Sequence, residues 1–291
     1  MSQPMFHTSI NCRLLKLFLV FISIAIVYLC FNAYTTITSI LTNTRNIQIQ
    51  SEPNQMRPHA YIITENCTSL RFNTTKENIQ RVFPNFFTIL CYLFVPLNDT
   101  RIHTASVPLW KKFSSNLLTF IDIWTYKIPN DLNINELEWT FIFEDDVNFV
   151  DPSKVSLLNY ITTLQELMYN KEIQSEHGFL YLGICGPTFD NNNQTLISKN
   201  TNNSLFTNKA FGYCLHATGI TKRRSRLFWA EISSYRPNPG EQALDAQLRS
   251  YCIRSDNHFY TMGSNFHFPP GTGHYGIAYQ DRGRFSTTIA K

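Results

Sequence analysis

The chain has 291 residues, 43% of them apolar and 14% aromatic, enough for one sizeable core and too many for a disordered or fibrous protein. Its formal net charge is only +4, and the 25 basic residues are scattered apart from Lys222-Arg-Arg-Ser-Arg226, which excludes nucleic acid as an expected partner.

From Leu17 to Phe31 the sequence carries no charge, and over 14–34 the only charged residue is Lys16, whose long stem can snorkel to an interface. Such a stretch is long enough to span a bilayer. Arg13 and Lys16 sit on its N-terminal side and no charge follows until Arg45, so the basic-residue bias keeps the N-terminus in the cytoplasm. The expected organisation is a cytoplasmic tail over 1–13, a transmembrane signal-anchor helix over 14–34, a flexible stem over 35–58 and a lumenal domain over 59–291. The stem is read from its Thr-, Asn-, Gln- and Ser-rich composition, which offers little to bury. A cleaved signal peptide is the alternative, and Phe31-Asn-Ala33 fits its cleavage site poorly because of the bulky Phe. Five cysteines follow the span: Cys67, Cys91, Cys185, Cys214 and Cys252. In an oxidising compartment they allow at most two disulfides within the chain and leave one thiol; the pairing is open, and no spacing suggests zinc. The glycan acceptor triplets at Asn66, Asn73, Asn98, Asn193 and Asn202 also all follow the span.

Beyond the stem, His59 to Thr64 reads as a strand, 74–82 as a helix, and Phe86 to Val95 as a buried strand. Pro108 to Tyr126 places Trp110, Phe113, Leu117, Phe120, Ile121 and Trp124 at helical spacing, so it is expected to pack as an amphipathic helix on a sheet. Trp139-Thr-Phe-Ile-Phe143 is a strand ending in Glu144-Asp145-Asp146. A helix over 152–168, a strand over 178–183, a polar surface loop over 190–204, a strand over 210–215 and helices over 222–233 and 240–250 complete the pattern. Strands alternating with helices predict an α/β fold with a mostly parallel sheet flanked by helices. The Gly-, Pro- and Arg-rich tail, 268–275 and 279–284, is expected to form no regular core element and either to close over a site or to lie on the surface.

The acidic triplet has two readings. Side chains alternate along a strand, so Glu144 and Asp146 point to one side and Asp145 to the other, an oxygen-rich pair suited to Mn²⁺ or Mg²⁺. Alternatively, the triplet is an acidic loop where a strand happens to end.

In its order of pieces the chain resembles glycosyltransferase family 25, whose members include bacterial lipopolysaccharide and animal collagen galactosyltransferases. The resemblance rests on Ala60-Tyr-Ile-Ile63 followed by Arg71, a helix carrying Trp124, Ile142-Phe-Glu-Asp-Asp-Val147, Tyr181-Leu-Gly183, His216-Ala-Thr218 and Leu244-Asp-Ala-Gln-Leu248. It covers roughly 59–260, and the Glu-Asp-Asp strand is its specific part. Thr64-Glu-Asn66 stands where the family has an Asn-Leu pair and doubled Arg, and Thr218 where an aromatic is usual. The resemblance implies a GT-A type nucleotide-sugar fold and inverting transfer of a hexose, galactose for example, from a UDP-sugar donor to a glycan or glycoprotein acceptor. It also implies a divalent metal and a Golgi or ER protein with one membrane helix.

The expected roles are metal ligation by Glu144 and Asp146 with His274, or else His267, completing the shell, donor contacts by Asn66, Arg71 and Asp145, the last alternatively serving structure, and Asp245 as the base that takes the acceptor proton. Each has a structural alternative: Asp245 as a solvent-facing helical carboxylate, His274 as a packing residue, and the basic run at 222–226 as a solvated face with at most one contact to diphosphate. Asn66 is expected to line the donor pocket without a glycan. A different class of function stays open, a catalytically inactive membrane-anchored glycan-binding or scaffolding protein with a transferase-like fold.

Overall fold

The computed structural model describes residues 57–102, 108–150, 157–195, 207–234, 243–268 and 273–281, all within one compact unit, Arg57–Lys291. The expected cytoplasmic tail, signal anchor and nearly all of the stem lie outside them; among the described residues no helix is long and apolar enough to cross a membrane.

In chain order the elements are β1 (His59–Thr64), α1 (Leu70–Val82), β2 (Thr88–Leu93), α2 (Pro108–Asp122), β3 (Trp139–Glu144), β4 (Val147–Phe149), α3 (Leu157–Tyr169), β5 (Phe179–Thr195), β6 (Thr207–Thr221), α4 (Lys222–Ser234), α5 (Leu244–Ser255), β7 (Phe259–Met262), β8 (His267–Phe268), β9 (His274–Gly276) and β10 (Ala278–Gln280). A π-helical segment, Ile123–Lys127, prolongs α2 and buries Trp124.

The strands are apolar on both faces, and the alternation sorts them into two cores. Ala60, Ile62, Phe141, Phe143, Leu180 and Leu182 meet Phe72, Ile79 and Val82 of α1 and Leu164 and Leu167 of α3. Tyr61, Ile63, Ile142, Phe179 and Tyr181 meet Phe120, Trp124, Phe228 and Ile232 of α4, and Leu248 and Tyr251 of α5. The result is a sheet flanked by helices on both faces. Each fully buried aromatic or aliphatic side chain contributes on the order of 1.5–3 kcal/mol.

The main sheet has eight strands in the order β2-β1-β3-β6-β7-β5-β9-β8, with β5 also paired to β6. β1 is parallel to β2 and β3, and β5 to β7, whereas β6 runs against β3, β5 and β7, and β9 against β5 and β8. The sheet is therefore mixed, not mostly parallel. The cause is the pairing of β5 with β6 as one long antiparallel ribbon, extending to Gln194↔Asn208 and Thr195↔Thr207. For the same reason 190–195 belong to a strand and not to the expected polar loop: backbone pairing needs no apolar pattern. The remainder of that loop lies outside the described residues.

Three further expectations are corrected. Helix α1 starts at Leu70 because Ser69 caps it, its hydroxyl accepting from the Phe72 N–H at 3.1 Å, an arrangement typically worth about 1 kcal/mol. β2 is half-exposed because it is an outer strand of the sheet. The tail does form core structure, since β9 pairs with β5, β10 pairs with β4, and Ile277 and Ala278 are buried. Its Gly composition serves close packing: Gly276 has φ +108°, and a Cβ there would sit 2.5 Å from the Leu182 carbonyl oxygen.

This return of the tail positions the site. Ile63 stands opposite Glu144, and Phe143 opposite Ala217, so the carboxyl ends of β1 and β3 and the residues of β6 before Ala217 meet at one edge. β10 is brought alongside at Gly183, where an added Cβ would lie 2.1 Å from the Ala278 oxygen and 2.5 Å from His216 Nε2. Gly183→Ala is expected to cost about 1–3 kcal/mol through overpacking against backbone. In a domain of this size thermal unfolding then moves down by several degrees; an unchanged midpoint would show that β10 is not seated as described.

Candidate active site

Strand β3 delivers Glu144 to the sheet edge, and the chain turns at once through Asp145 and Asp146 into β4. Asp145 and Asp146 are buried and Glu144 is half-buried. Such carboxylates need partners, and the three find different ones.

Asp145 is held entirely within the chain. Thr64 Oγ1 donates to its Oδ2 at 2.6 Å, Arg71 Nη2 lies 2.8 Å from its Oδ1, and Thr75 Oγ1 donates to its backbone oxygen at 2.8 Å. Burial pushes its pKa up, opposed by Thr64 and Arg71. These contacts tie β1, α1 and the turn after β3 together, a structural use of both carboxylate oxygens.

Glu144 accepts from Gln280 Nε2 of β10 at 2.8 Å and from Asn116 Nδ2 of α2 at 3.3 Å. Its pKa is nevertheless raised to about 8, first by burial, then by the charge of Asp146, and also by that of Asp245. Asp146 lies 3.6 Å from Arg71 Nη2, and its backbone oxygen accepts from the Asp281 N–H at 2.8 Å.

Asp245 sits in the first turn of α5. Its Oδ2 accepts from the Cys214 N–H at 3.1 Å and its Oδ1 from its neighbour Ala246 N–H at 2.8 Å. Cys214 presents that N–H from a left-handed backbone, φ +68°, in the irregular part of the β5–β6 ribbon where it is disulfide-bonded to Cys185. Asp245 is thus a fixed, half-buried carboxylate whose charge reaches Glu144, not a solvent-facing one. Glu144 and Asp146, two residues apart at the end of β3, offer oxygen donors of the kind a hard divalent cation takes, while Asp245 does not close with them into a three-ligand cluster.

The other expected residues are distributed differently. Arg71 is at the site through both aspartates. Asn66 follows β1 directly, but it is exposed and its Oδ1 accepts from the N–H and hydroxyl of Thr68. His274 is buried on β9, with its ring nitrogens 3.6 and 3.7 Å from Cys185 Sγ and its ring 5.8 Å from that of His216. These partners place it with the disulfide. Cys185, Cys214 and His216 lie within metal-ligand reach of one another, yet the two sulfurs are joined and offer no thiolate. Among the described residues the other disulfide is Cys67–Cys91, and Cys252 is the free thiol, buried, its pKa pushed up to about 12 by burial.

The basic run at 222–226 serves structure. Lys222 Nζ donates to the backbone oxygens of Asp131 and Ile134, Arg224 pairs with Glu231, and Arg226 pairs with Glu136. Sequence reasoning did not find Asn116, Gln280, Thr64 or Cys214. None belongs to a local motif, and Cys214 acts through its backbone.

In comparisons with known proteins, no family model and no curated protein matches this chain.

The pKa of Glu144 makes a stability test. Its folded value, about 8, stands above the ordinary 4.5, so its contribution to stability is present below the unfolded value and is lost as pH rises through the folded one. In EDTA the wild-type protein is expected to lose thermal stability between about pH 5 and pH 8. Glu144→Gln flattens that slope. Parallel stability curves for the two proteins would mean that Glu144 is not crowded by charge.

Proposed function

We propose that this protein is a divalent-metal-dependent glycosyltransferase with a GT-A-like domain, passing a hexose from a UDP-sugar to a hydroxyl of a glycan or glycoprotein. The observation that carries this reading is the position of Glu144 and Asp146 where β3 ends beside the carboxyl end of β1, with Asp245 of α5 near enough to help raise the Glu144 pKa. Ligands of open α/β sheets bind in that position. The likeness of the Ile142–Val147 strand to family 25 supports the same reading. The two disulfides agree with a lumenal domain in the secretory route, behind the N-terminal anchor read from the sequence.

Glu144 and Asp146 are the residues that would hold the cation, which when bound supplies charge neutralisation for the departing nucleoside diphosphate. The chain's own groups do the rest. Arg71 adds a fixed positive charge beside the acidic pair, already oriented by Asp145. Asn116 and Gln280 fix the Glu144 carboxylate from two sides. Asp245, held by the Cys214 and Ala246 N–H groups, would take the proton of the attacking hydroxyl. Attack from the face opposite the leaving group gives inversion at the sugar carbon.

Full-length protein in detergent, with Mn²⁺ and a panel of UDP-sugars, is expected to release UDP slowly from one donor by hydrolysis. Asp146→Asn should remove metal-dependent UDP binding without lowering the unfolding midpoint. Asp245→Asn should retain UDP binding and lower turnover by about 10²–10⁴-fold, the usual worth of a general base. Absence of UDP release from every donor, with either Mn²⁺ or Mg²⁺, would instead favour a non-catalytic glycan-binding protein.

A further inference from the structure

Asp245 is flanked on its outer side by a second group of side chains. Tyr213 immediately precedes Cys214, whose N–H holds Asp245, and is 36% exposed, unusual for a large aromatic on a central strand. Arg249 follows Asp245 by four residues on α5, one turn further along the same helix face. Its guanidinium lies over the Tyr213 ring at 5.0 Å and over the Phe211 ring at 6.0 Å.

Arg249 differs from the arginines that hold the fold. Arg71, Arg101, Arg224 and Arg226 each sit on a carboxylate, whereas Arg249 is within ion-pair distance of none among the described residues. Its Nε is buried without a hydrogen-bond partner. A stacked guanidinium keeps its edge for hydrogen bonding, and that edge matches the two oxygens of a carboxylate or sulfate. An exposed aromatic offers a flat apolar surface to the C–H face of a sugar ring. Both features stand beside the one carboxylate assigned to accept a proton.

We propose that Tyr213 and Arg249 form the acceptor subsite, and that it takes an acidic saccharide, one bearing a uronate carboxylate or a sulfate on the ring that rests against Tyr213. This rests on the transferase reading for the role of Asp245. The geometry divides the site: the diphosphate end belongs with Arg71 and the acidic pair, and the acceptor end with β6 and α5. An acidic acceptor beside the Asp245 carboxylate needs a local cation, and Arg249 supplies it.

The test is a calorimetric titration of full-length protein in detergent, without nucleotide, so that its result is read independently of donor chemistry. The probes are a glucuronic-acid disaccharide, its neutral methyl ester, and a 6-sulfated disaccharide with its unsulfated parent. At least one acidic probe is expected to bind about tenfold more tightly than its neutral counterpart, and which one does so identifies the acid. Arg249→Gln should bring the acidic probe to the neutral level, and Tyr213→Ala should weaken acidic and neutral probes by a similar factor. The wild-type comparison decides the matter even if a variant does not fold. Equal affinity for acidic and neutral probes, no saturable binding of any, or an unchanged ratio in Arg249→Gln overturns the proposal.

Discussion

Three carboxylates brought together at the end of one strand, largely out of water, are the constraint around which the rest of this structure is arranged. Removing a charge from water is costly unless it is paired and hydrogen-bonded, and like charges at close range add to that cost. Distant parts of the chain converge on the problem. Thr64 comes from β1, Arg71 and Thr75 from α1, Asn116 from α2 and Gln280 from β10. The pairing of β10 with β4, which draws the C-terminal segment into the core, delivers Gln280 to Glu144 and the Asp281 N–H to the Asp146 oxygen.

The three acids are not compensated equally, and the inequality separates scaffold from site. Asp145 receives a hydroxyl and a guanidinium, charge-assisted contacts of the kind worth roughly 1.5–3 kcal/mol each, and it knits β1 to α1. Glu144 receives two neutral amides, which do not offset the charges of Asp146 and Asp245. A cluster left short of positive charge is a cost to the fold, and such costs concentrate where function needs them.

Much of the scaffold was legible in the residues. Alternation in Ala60-Tyr-Ile-Ile63 and Phe141-Ile-Phe143 gave a sheet with two buried faces, and the aromatic spacing from Phe113 to Trp124 gave the helix that covers one of them. The far end of the β5–β6 ribbon was not legible, because Gln194 and Thr195 pair with Asn208 and Thr207 through backbone groups that leave no apolar period. Nor was the return of the tail, since glycine-rich composition reads as loop even when the missing Cβ is what lets strands approach. At the site, Glu144, Asp146 and Arg71 stood out by type and order. Asn116 and Gln280 are ordinary amides far apart in sequence, and only tertiary packing makes them partners of one carboxylate. His274 was expected to complete a metal shell, and the fold sets it against a disulfide, a neighbour that sequence order does not announce.

The two disulfides bear on how this protein can be handled at all. Cys67–Cys91 ties the loop after β1 to β2, a link expected to contribute on the order of 3 kcal/mol by restricting the unfolded chain. Cys185–Cys214 fixes the strand residue whose N–H orients Asp245. A chain produced in a reducing cytosol would lack both links. It would leave an outer strand untethered beside unprotected thiols, a setting that favours intermolecular strand pairing. It would also lack the brace behind Asp245, even in molecules that stayed soluble. Silent bacterial cytosolic preparations would therefore report the redox history of the sample and not the capability of the sequence, and oxidative expression is the condition under which a negative assay carries meaning.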